Sequence, residues 1–395
     1  MTACSMSSCP CVSEAPIQLR GASVRRLALT QFRNHPRLDL ELDARPVCLI
    51  GPNGAGKTNV LEALTTLGAG RGLRSAELAD MCREGEDGGP WAVAAGLDVG
   101  GVAVRIGVGA ETTPQGGWRR VARMDGRAAT PAQLADQVRL VWLTPAMDRL
   151  FAGPANERRR FLDRLAASIA PAHAEAGSAY ERAMRERQRL LDNGETSGSW
   201  LDGLEHEAAA HGAAIAAGRM DAIDALQSAI DARPDGPFPK ADLAIEGGLE
   251  AAIRDGAPAA TVEDQFAARL RSVRPRDAAA GRALDGPHRS DFSARHRAKD
   301  RPAADCSTGE QKALVVGLAL AHARRLADSA RAANPLLLLD EACAHLDAER
   351  RAALAGELLA LPGQAWLTGV ETQAFDAFGA GAQRFEIAAG IARPL

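Results

Sequence analysis

Apolar and polar residues alternate along the N-terminal third of the chain. Short alternating runs of apolar residues occupy residues 24–29 and 38–42. A period close to two is typical of a β-strand that buries one face, and the segment Asn34-His35-Pro36 between the two runs is rich in turn-forming residues. The pattern predicts an antiparallel hairpin. Further alternating runs between residues 90 and 143 predict additional strands.

A different pattern begins at residue 46. The apolar run at residues 46–50 has the length of a buried strand, and a glycine-rich segment interrupts it at residues 51–56. Apolar residues then recur at helical spacing as far as residue 67. This order predicts a strand, a glycine loop and a helix.

The middle of the chain is predicted to be mostly helical. Apolar residues recur at helical spacing between residues 155 and 233, and the segment from Ser199 to Asp202 has the S-x-x-D form of a helix-capping box. Prolines and glycines interrupt the pattern, which excludes a long coiled coil. After residue 300 the α/β pattern returns, with a predicted helix at residues 309–329 and a predicted strand at residues 335–339.

These patterns together predict an α/β fold that contains a mixed sheet, an antiparallel β part and an inserted, mainly helical lobe. We predict a flexible N-terminal tail at residues 1–22 and a discontinuous head formed by residues 23–150 and 280–395. The lobe is predicted at residues 151–279. A chain of 395 residues with 46% apolar residues is long enough for such a core.

The composition argues against a membrane protein, a secreted protein and a zinc-binding protein. No apolar run approaches the roughly 18 residues that a membrane span requires, so we expect a soluble protein without a membrane partner. The first 22 residues lack the basic and apolar regions of a secretory signal. The seven cysteines are scattered and no histidine completes a zinc site, which favours a reducing compartment and a cytoplasmic location.

The glycine loop fits the phosphate-binding pattern G-x-x-x-x-G-K-[ST]. Glycines let the backbone N–H groups point inward around a phosphate chain, and the following helix adds its positive N-terminal end. In this pattern Lys57 reaches the β- and γ-phosphates and Thr58 ligates Mg²⁺. A chance match is the alternative, which the preceding strand and the following helix disfavour. The predicted nucleotide-binding residues of the loop are Gly51, Pro52, Asn53, Gly54, Ala55, Gly56, Lys57 and Thr58.

Four consecutive leucines precede Asp340 and Glu341. Such a run predicts a strand that is buried on both faces, as in the middle of a parallel sheet. Asp340 at its carboxyl end is a candidate Mg²⁺ ligand beside Thr58. Glu341 is the candidate catalytic base for an attacking water, and Lys57 is predicted to act with it. The alternative is an ordinary strand end whose acidic turn residues have no catalytic role.

A third segment, Ser307-Thr-Gly309-Glu310-Gln311, precedes a predicted helix. Ser307 is a good N-cap residue, so a simple capped helix is one interpretation. The order of the three segments, followed by Asp347, resembles the ABC-type ATPase head. By that resemblance Ser307, Gly309, Glu310 and Gln311 form a signature that acts in trans on the ATP of a second subunit, and Asp347 belongs to the D-loop.

Several shorter motifs resemble the RecF family of bacterial recombination proteins more closely. Residues 29–35 resemble its L-x-x-F-R-N-Y stretch, which adds Arg33 to the predicted nucleotide-binding residues. Residues 153–163 resemble its R-R-x-F-L-D stretch, and residues 286–291 resemble G-P-H-R-D-D. The chain departs from the family where His35 replaces a tyrosine, and Thr368 stands where transporter ATPases carry a switch histidine.

The resemblance implies a weak, DNA-stimulated ATPase that uses ATP and Mg²⁺. An ATP-dependent homodimer would bind double-stranded DNA near single-strand/double-strand junctions and support the repair of single-stranded gaps. The implied partners are RecO and RecR mediators and, downstream, the RecA filament. A nucleotide-gated scaffold that barely hydrolyses ATP remains an alternative. A transporter subunit is disfavoured by the long spacing between Lys57 and Asp340.

Clustered arginines are the candidate DNA contacts, because guanidinium groups bind phosphates. The alternative for each is a solvated face or an ion pair, and the net charge of −3 shows no overall polycation. A single tyrosine and 4% aromatic residues do not indicate a stacking platform for single-stranded bases. The predicted DNA-binding residues are Arg71, Arg74, Arg119, Arg120 and Arg297.

Overall fold

The computed structural model describes residues 21–68, 70, 72–83, 85, 89–195, 197–328 and 335–395. The predicted N-terminal tail lies outside these residues except at positions 21 and 22. The β-strands of the described residues are, in chain order, β1 Ser23–Phe32, β2 His35–Glu41, β3 Val47–Ile50, β4 Trp91–Val99, β5 Val102–Thr112, β6 Trp118–Met124, β7 Arg127–Ala128, β8 Leu140–Leu143, β9 Ala241–Glu246, β10 Asp291–His296, β11 Arg301–Pro302, β12 Leu336–Leu339, β13 Ala365–Gly369, β14 Gln383–Ala388 and β15 Ile391–Pro394.

The α-helices follow the same numbering. They are α1 Lys57–Thr65, α2 Pro131–Gln137, α3 Ala155–Ile169, α4 Ala172–Asp192, α5 Ser199–Ala232, α6 Gly248–Arg254, α7 Ala259–Ser272, α8 Arg274–Ala280, α9 Thr308–Ala327 and α10 Ala348–Ala360. Short 3-10 helices occur at Ala79–Met81, Pro145–Ala152, Pro287–Arg289, Arg297–Lys299, Ala303–Asp305 and Thr372–Gly381.

Two six-stranded sheets form the head, as the predicted α/β class requires. The antiparallel sheet has the order β2-β1-β4-β5-β6-β7, and its first two strands are the predicted hairpin. The second sheet has the order β15-β14-β3-β13-β12-β8, in which only the β14–β15 pair is antiparallel. Strands β3 and β12 are therefore not neighbours, because β13 lies between them and pairs with both.

The mainly parallel sheet is covered on both faces. On one face, side chains such as Leu49, Leu338 and Trp366 join α1 and the antiparallel sheet in one hydrophobic core. On the other face, Leu339 and Leu367 pack with α3, α9 and α10 in a second core. All four leucines of β12 are buried, which explains the uninterrupted apolar run in the sequence.

The chain between residues 151 and 279 contributes helices α3 to α7, most of α8 and the strand β9. The pairing of β9 with β10 links this segment to the head in a three-stranded sheet with β11. The limits of the lobe remain a prediction. Helix α5 begins at Ser199, but Gly198 is its N-cap and no side chain caps it, so the predicted capping box is wrong. Asp202 instead forms an ion pair with Arg274 at 2.6 Å.

Buried ion pairs tie the helices of this segment together. Arg187 on α4 is fully buried, and its guanidinium group contacts Glu205 on α5 and Asp277 on α8, each at 2.9 Å. Burial of one partner without the other would leave an uncompensated charge, so these pairs fix the relative positions of three helices. Among the helices described, none is both long and apolar enough to cross a bilayer.

Candidate nucleotide-binding site

The glycine loop connects β3 to α1, as the sequence predicts. Helix α1 begins at Lys57 directly after Gly56, which adopts a left-handed conformation with φ of 106°. A Cβ atom at Gly56 would lie 2.6 Å from side-chain atoms of Asn34 and His35, so only glycine fits there. The N-terminal end of α1 therefore faces the loop with its free N–H groups, which suits an anion such as phosphate.

The turn of the β1–β2 hairpin holds the glycine loop from behind. The Asn34 side-chain amide donates to the carbonyl oxygen of Ala55 at 3.1 Å, and Asn59 donates to the Asn34 side-chain oxygen at 2.7 Å. The two ring nitrogens of the buried His35 lie 3.1 Å from the Gly56 carbonyl oxygen and 3.0 Å from the Gly390 carbonyl oxygen. His35, noted in the sequence only as a departure from the family pattern, thus shapes the loop.

Lys57 is buried and folds back onto its own loop. Its Nζ donates to the carbonyl oxygens of Gly51 at 2.7 Å and Pro52 at 2.9 Å. Burial lowers the pKa of Lys57, while the nearby charges of Glu341 and Asp340 act in the opposite direction. An incoming phosphate chain offers this amine stronger acceptors than two carbonyl groups.

Thr58 and Asp340 meet at the carboxyl end of the parallel sheet, although they are far apart in sequence. The Thr58 hydroxyl lies 2.9 and 3.0 Å from the two carboxylate oxygens of Asp340. Both are hard oxygen donors of the kind that Mg²⁺ prefers, so the residues fit that ion. Within the described part of the chain no group of three acidic, histidine or cysteine residues could hold a metal alone.

Thr368 on β13, noted in the sequence because it stands where transporter ATPases carry a switch histidine, lies at the site. Its hydroxyl is fully buried and donates to Asp340 Oδ1 at 2.7 Å. The same hydroxyl oxygen accepts the backbone N–H of Glu341 at 2.9 Å. Strand β13 lies between β3 and β12, so Thr368 lies beside Asp340. Its hydroxyl is therefore placed to orient the Asp340 carboxylate.

Glu341 follows Asp340 with a left-handed backbone, at φ of 51°. This conformation is uncommon for a residue with a side chain and persists where surrounding contacts hold it. Its N–H is bound by Thr368, and its carbonyl oxygen accepts a hydrogen bond from Lys312 Nζ at 3.0 Å. The turn places Glu341 next to the Thr58–Asp340 pair, where its predicted role as base requires it to lie.

Arg33 and Arg74 share one buried carboxylate. The Arg33 guanidinium binds both oxygens of Glu62 on α1, at 2.8 and 2.9 Å, and Arg74 binds the same group at 2.7 Å. Glu62 is fully buried. The nucleotide-binding role of Arg33 and the DNA-binding role of Arg74 remain predictions, and each arginine already has a carboxylate partner.

The predicted signature lies at the start of α9. Ser307 is its N-cap, and the Glu310 carboxylate accepts the Ser307 backbone N–H at 3.0 Å, as in a capping box. Lys299 and this N–H lower the pKa of Glu310 to about 2. Gln311 is buried and its side-chain amide donates to the carbonyl oxygen of Cys306 at 2.9 Å. Ser307 and Gly309 remain accessible at the helix end, whereas Gln311 shapes the preceding turn.

Asp347, the predicted D-loop residue, is the N-cap of α10. Its carboxylate accepts the backbone N–H of Arg350 at 2.8 Å. The side chain is 59% exposed, so it remains accessible to a second subunit. The structure brings the phosphate loop, Asp340 and Glu341 together. The described contacts of Ser307 and Asp347, in contrast, are with the first turns of their own helices.

The predicted DNA-binding arginines differ in their surroundings. Arg120 faces inward from β6, where its guanidinium donates to the carbonyl oxygens of Thr66, Gly68 and Gly70 beyond the end of α1. Burial lowers the pKa of Arg120, and its DNA-binding role remains a prediction. Arg119 forms an ion pair with Glu111, and Arg297 binds two aspartates. Arg71 lies outside the described residues.

Comparison with known proteins identifies relatives over nearly the whole chain. The family model of the RecF/RecN/SMC N terminal domain matches residues 23–375. DNA replication and repair protein RecF of Caulobacter sp. (strain K31) is 49% identical over 369 residues, which are 90% of this chain and 94% of that protein. The protein of the same name from Brucella suis biovar 1 (strain 1330) is 49% identical over 372 residues, or 93% and 95% of the two chains.

Solved structures share the fold. The recombination mediator protein RecF-ATPrS in the RecFOR pathway superposes with a TM-score of 0.81 and 20% identity, covering 95% of this chain and 99% of that one. The Smc head domain with an extended coiled coil from Pyrococcus furiosus, bound to the C-terminal domain of ScpA, gives a TM-score of 0.52 at 17% identity, over 95% and 96% of the two chains. These matches confirm the predicted fold class.

Proposed function

The chain belongs to the RecF family of DNA replication and repair proteins, and we propose that it is an ATP-dependent DNA-binding protein of single-strand gap repair. In this proposal ATP closes two heads into a homodimer that holds double-stranded DNA near a junction with single-stranded DNA. Slow hydrolysis then opens the dimer and releases the DNA. The family membership and the geometry of the phosphate loop both support this proposal.

The contact of Thr58 with Asp340 carries the nucleotide part of the proposal. The N–H groups of the loop and the end of α1 bind the phosphates of ATP, and Lys57 moves from its carbonyl partners to the β- and γ-phosphates. Thr58 and Asp340 are the residues that would hold Mg²⁺, and the ion would neutralise charge on the phosphate oxygens. Glu341 accepts a proton from the attacking water, and Thr368 keeps Asp340 in place.

The proposed dimer lets the signature of one subunit contact the ATP of the other. Ser307 is exposed and Gly309 is partly exposed at the start of α9. In a dimer related by a two-fold axis, they reach the γ-phosphate bound by the other subunit. Asp347, exposed at the start of α10, is then close to the same interface. One chain alone therefore binds ATP without completing the site.

DNA and mediator proteins are the proposed partners. The relatives are DNA replication and repair proteins, and the structural neighbour is described as a recombination mediator in the RecFOR pathway. We therefore propose RecO and RecR type mediators as direct partners and the RecA filament as the downstream one. The DNA contacts are expected to be with the phosphate backbone, because few aromatic side chains are available for stacking.

Substitution of Glu341→Gln tests the catalytic part of the proposal. We expect normal ATP binding and a long-lived dimer on gapped duplex DNA, because the γ-phosphate is no longer cleaved. Turnover of the wild-type protein is measured in parallel with and without the same DNA. Rapid dissociation of the variant from DNA after ATP addition would contradict the assignment of the base. Negligible wild-type turnover, with no increase on DNA, would favour the nucleotide-gated scaffold.

A further inference from the structure

Two side chains from separate elements fix the backbone of Glu341. Thr368 on β13 accepts its N–H at 2.9 Å, and Lys312 on α9 donates to its carbonyl oxygen at 3.0 Å. A left-handed φ of 51° is uncommon for a non-glycine residue, and these two contacts hold the Glu341 backbone in it. Release of either contact allows the turn to relax and the Glu341 carboxylate to change direction.

Lys312 connects this turn to the predicted signature. It lies on the first turns of α9, five positions after the N-cap Ser307, and its side chain is 5% exposed. Besides the Glu341 carbonyl oxygen, its Nζ contacts Asp148 Oδ2 at 3.1 Å. Asp148 belongs to the 3-10 helix that follows β8, the strand next to β12. One buried amine thus joins the signature helix, the segment after β8 and the turn of the predicted base.

This arrangement has a directional consequence in the proposed dimer. The signature of a subunit contacts the ATP of its partner, whereas its Glu341 acts on its own ATP. When the start of α9 moves, Lys312 moves with it and shifts the backbone of Glu341. The nucleotide takes no part in this contact. The contact is therefore placed to report occupancy of one ATP site to the base of the other.

We propose that Lys312 is a positioning residue that couples the two ATP sites, an inference that rests on the function proposed above. Docking of the signature on the partner's ATP holds the start of α9, and Lys312 then holds Glu341 in its left-handed conformation. Without that docking the base is not aligned. The two sites consequently hydrolyse ATP together, and neither works at full rate while the other is empty.

The first test compares Lys312→Met with the wild type. Methionine keeps the length and burial of the side chain but donates no hydrogen bond. We expect ATP affinity and the ATP-dependent dimer to persist, and turnover at saturating ATP to fall at least tenfold. A matched control is His322→Gln, which changes another buried polar side chain of α9 and should leave all three measurements near wild type.

A mixed dimer tests the coupling without altering Lys312. Wild-type protein is titrated with an excess of Ser307→Arg, whose blocked signature is unable to dock, and formation of mixed dimers is verified by mass. The mixed dimer keeps one site with an intact signature, but the Glu341 of that site belongs to the Ser307→Arg subunit. If the sites are coupled, turnover per wild-type subunit in the mixed dimer is about tenfold lower than in the wild-type dimer. Unchanged turnover would overturn the inference.

The outcomes separate this inference from the proposed function. If the wild-type protein neither dimerises with ATP nor turns it over, the proposed function itself fails. If the wild type does both and Lys312→Met matches it in turnover, only the coupling role of Lys312 is wrong. Loss of the folded state in Lys312→Met leaves the mixed-dimer measurement as the deciding result.

Discussion

The hydroxyl of Thr368 lies between the carboxylate of Asp340 and the backbone N–H of Glu341, at 2.7 and 2.9 Å. Side chains that orient a metal ligand commonly change metal affinity or activity by about 10–100-fold when removed. We predict a loss of that size in turnover for Thr368→Val, together with a higher Mg²⁺ requirement, because valine keeps the shape but not the hydroxyl. Steady-state rates over a Mg²⁺ titration measure both effects.

The control for this prediction is Thr368→Ser, which retains the hydroxyl and should recover most of the turnover. Wild-type rates and an unchanged Mg²⁺ requirement in the valine variant would show that Asp340 needs no such support. The effect is expected on hydrolysis more than on ATP binding, since the loop N–H groups and Lys57 bind the phosphates independently.

His322 on α9 provides a prediction about stability against pH. The residue is fully buried, and burial lowers its pKa to about 3. Between the pKa of the unfolded chain, about 6.5, and this value, the unfolded state binds a proton that the folded state does not. The free energy of unfolding therefore falls as the pH decreases through this window, by up to about 1.4 kcal/mol per pH unit.

The Ser168 hydroxyl lies 2.6 Å from His322 Nε2, and the variant His322→Gln removes the titration while keeping a polar side chain opposite Ser168. Denaturant unfolding between pH 4 and pH 6 should give a shallower pH dependence for the variant than for the wild type. Parallel curves for the two proteins would mean that His322 is protonated in the folded state as readily as in the unfolded one.

At the scale of elements, the alternation of β5 and β6 decides which arginines face the solvent. Ile106 and Val108 face the core, so Arg105 faces outward, and the pairing of Gly107 with Arg123 places Arg123 on the same outer face. Arg120 pairs with Ala110 and faces inward. The period of two was visible in the sequence, but the register that assigns Arg120 to the inner face becomes clear only when β6 is aligned on β5.

This outer face gives a specific prediction for DNA binding. Arg105 and Arg123 are exposed, and among the described residues no carboxylate forms an ion pair with either. We predict that the double substitution of both by alanine weakens binding to duplex DNA irrespective of sequence. Each lost phosphate contact should reduce the slope of log affinity against log salt by about one.

The matched control is Arg185→Ala, which removes an exposed arginine that is paired with Glu181 on α4. Fluorescence anisotropy with a labelled duplex at several salt concentrations gives the slopes. Equal slopes for the wild type and the Arg105/Arg123 double variant would exclude this face from the DNA contact.

The elements themselves were largely predictable, and their ends were not. The hairpin, the strand before the loop and the helix after it follow from short-range periodicity. The capping box at Ser199 was predicted wrongly because Gly198 supplies the N-cap and Asp202 finds an arginine on another helix. Ser307 was predicted correctly because its partner Glu310 lies within the same turn.

At the scale of the whole molecule, the candidate site depends on strand order. Sequence motifs predicted that the phosphate loop and Asp340 meet, and Thr58 does lie within 3.0 Å of Asp340. The motifs contain no information on which strand separates β3 from β12, and that strand carries Thr368. The resemblance placed Thr368 at the position of a switch residue, but its contacts with Asp340 and Glu341 depend on the strand order of the assembled sheet and were found only in the structure.

The signature and Asp347 have a different status, because their predicted contacts lie in a second subunit. Ser307 and Asp347 are the N-cap residues of α9 and α10. Both side chains and Gly309 remain accessible to solvent. Their geometry is therefore compatible with a dimer that ATP closes, and the ATP response of the protein in solution decides whether that dimer forms.

The molecular mass in solution with and without ATP tests the central claim most directly. Using sedimentation or light scattering in the presence of Mg²⁺, we predict one chain without nucleotide and two chains with ATP for the wild type. The Lys57→Met variant, which lacks the amine that reaches the phosphates, should remain a single chain under both conditions. A wild-type mass that does not respond to ATP, or a Lys57→Met dimer that forms as readily as the wild type, would contradict the account.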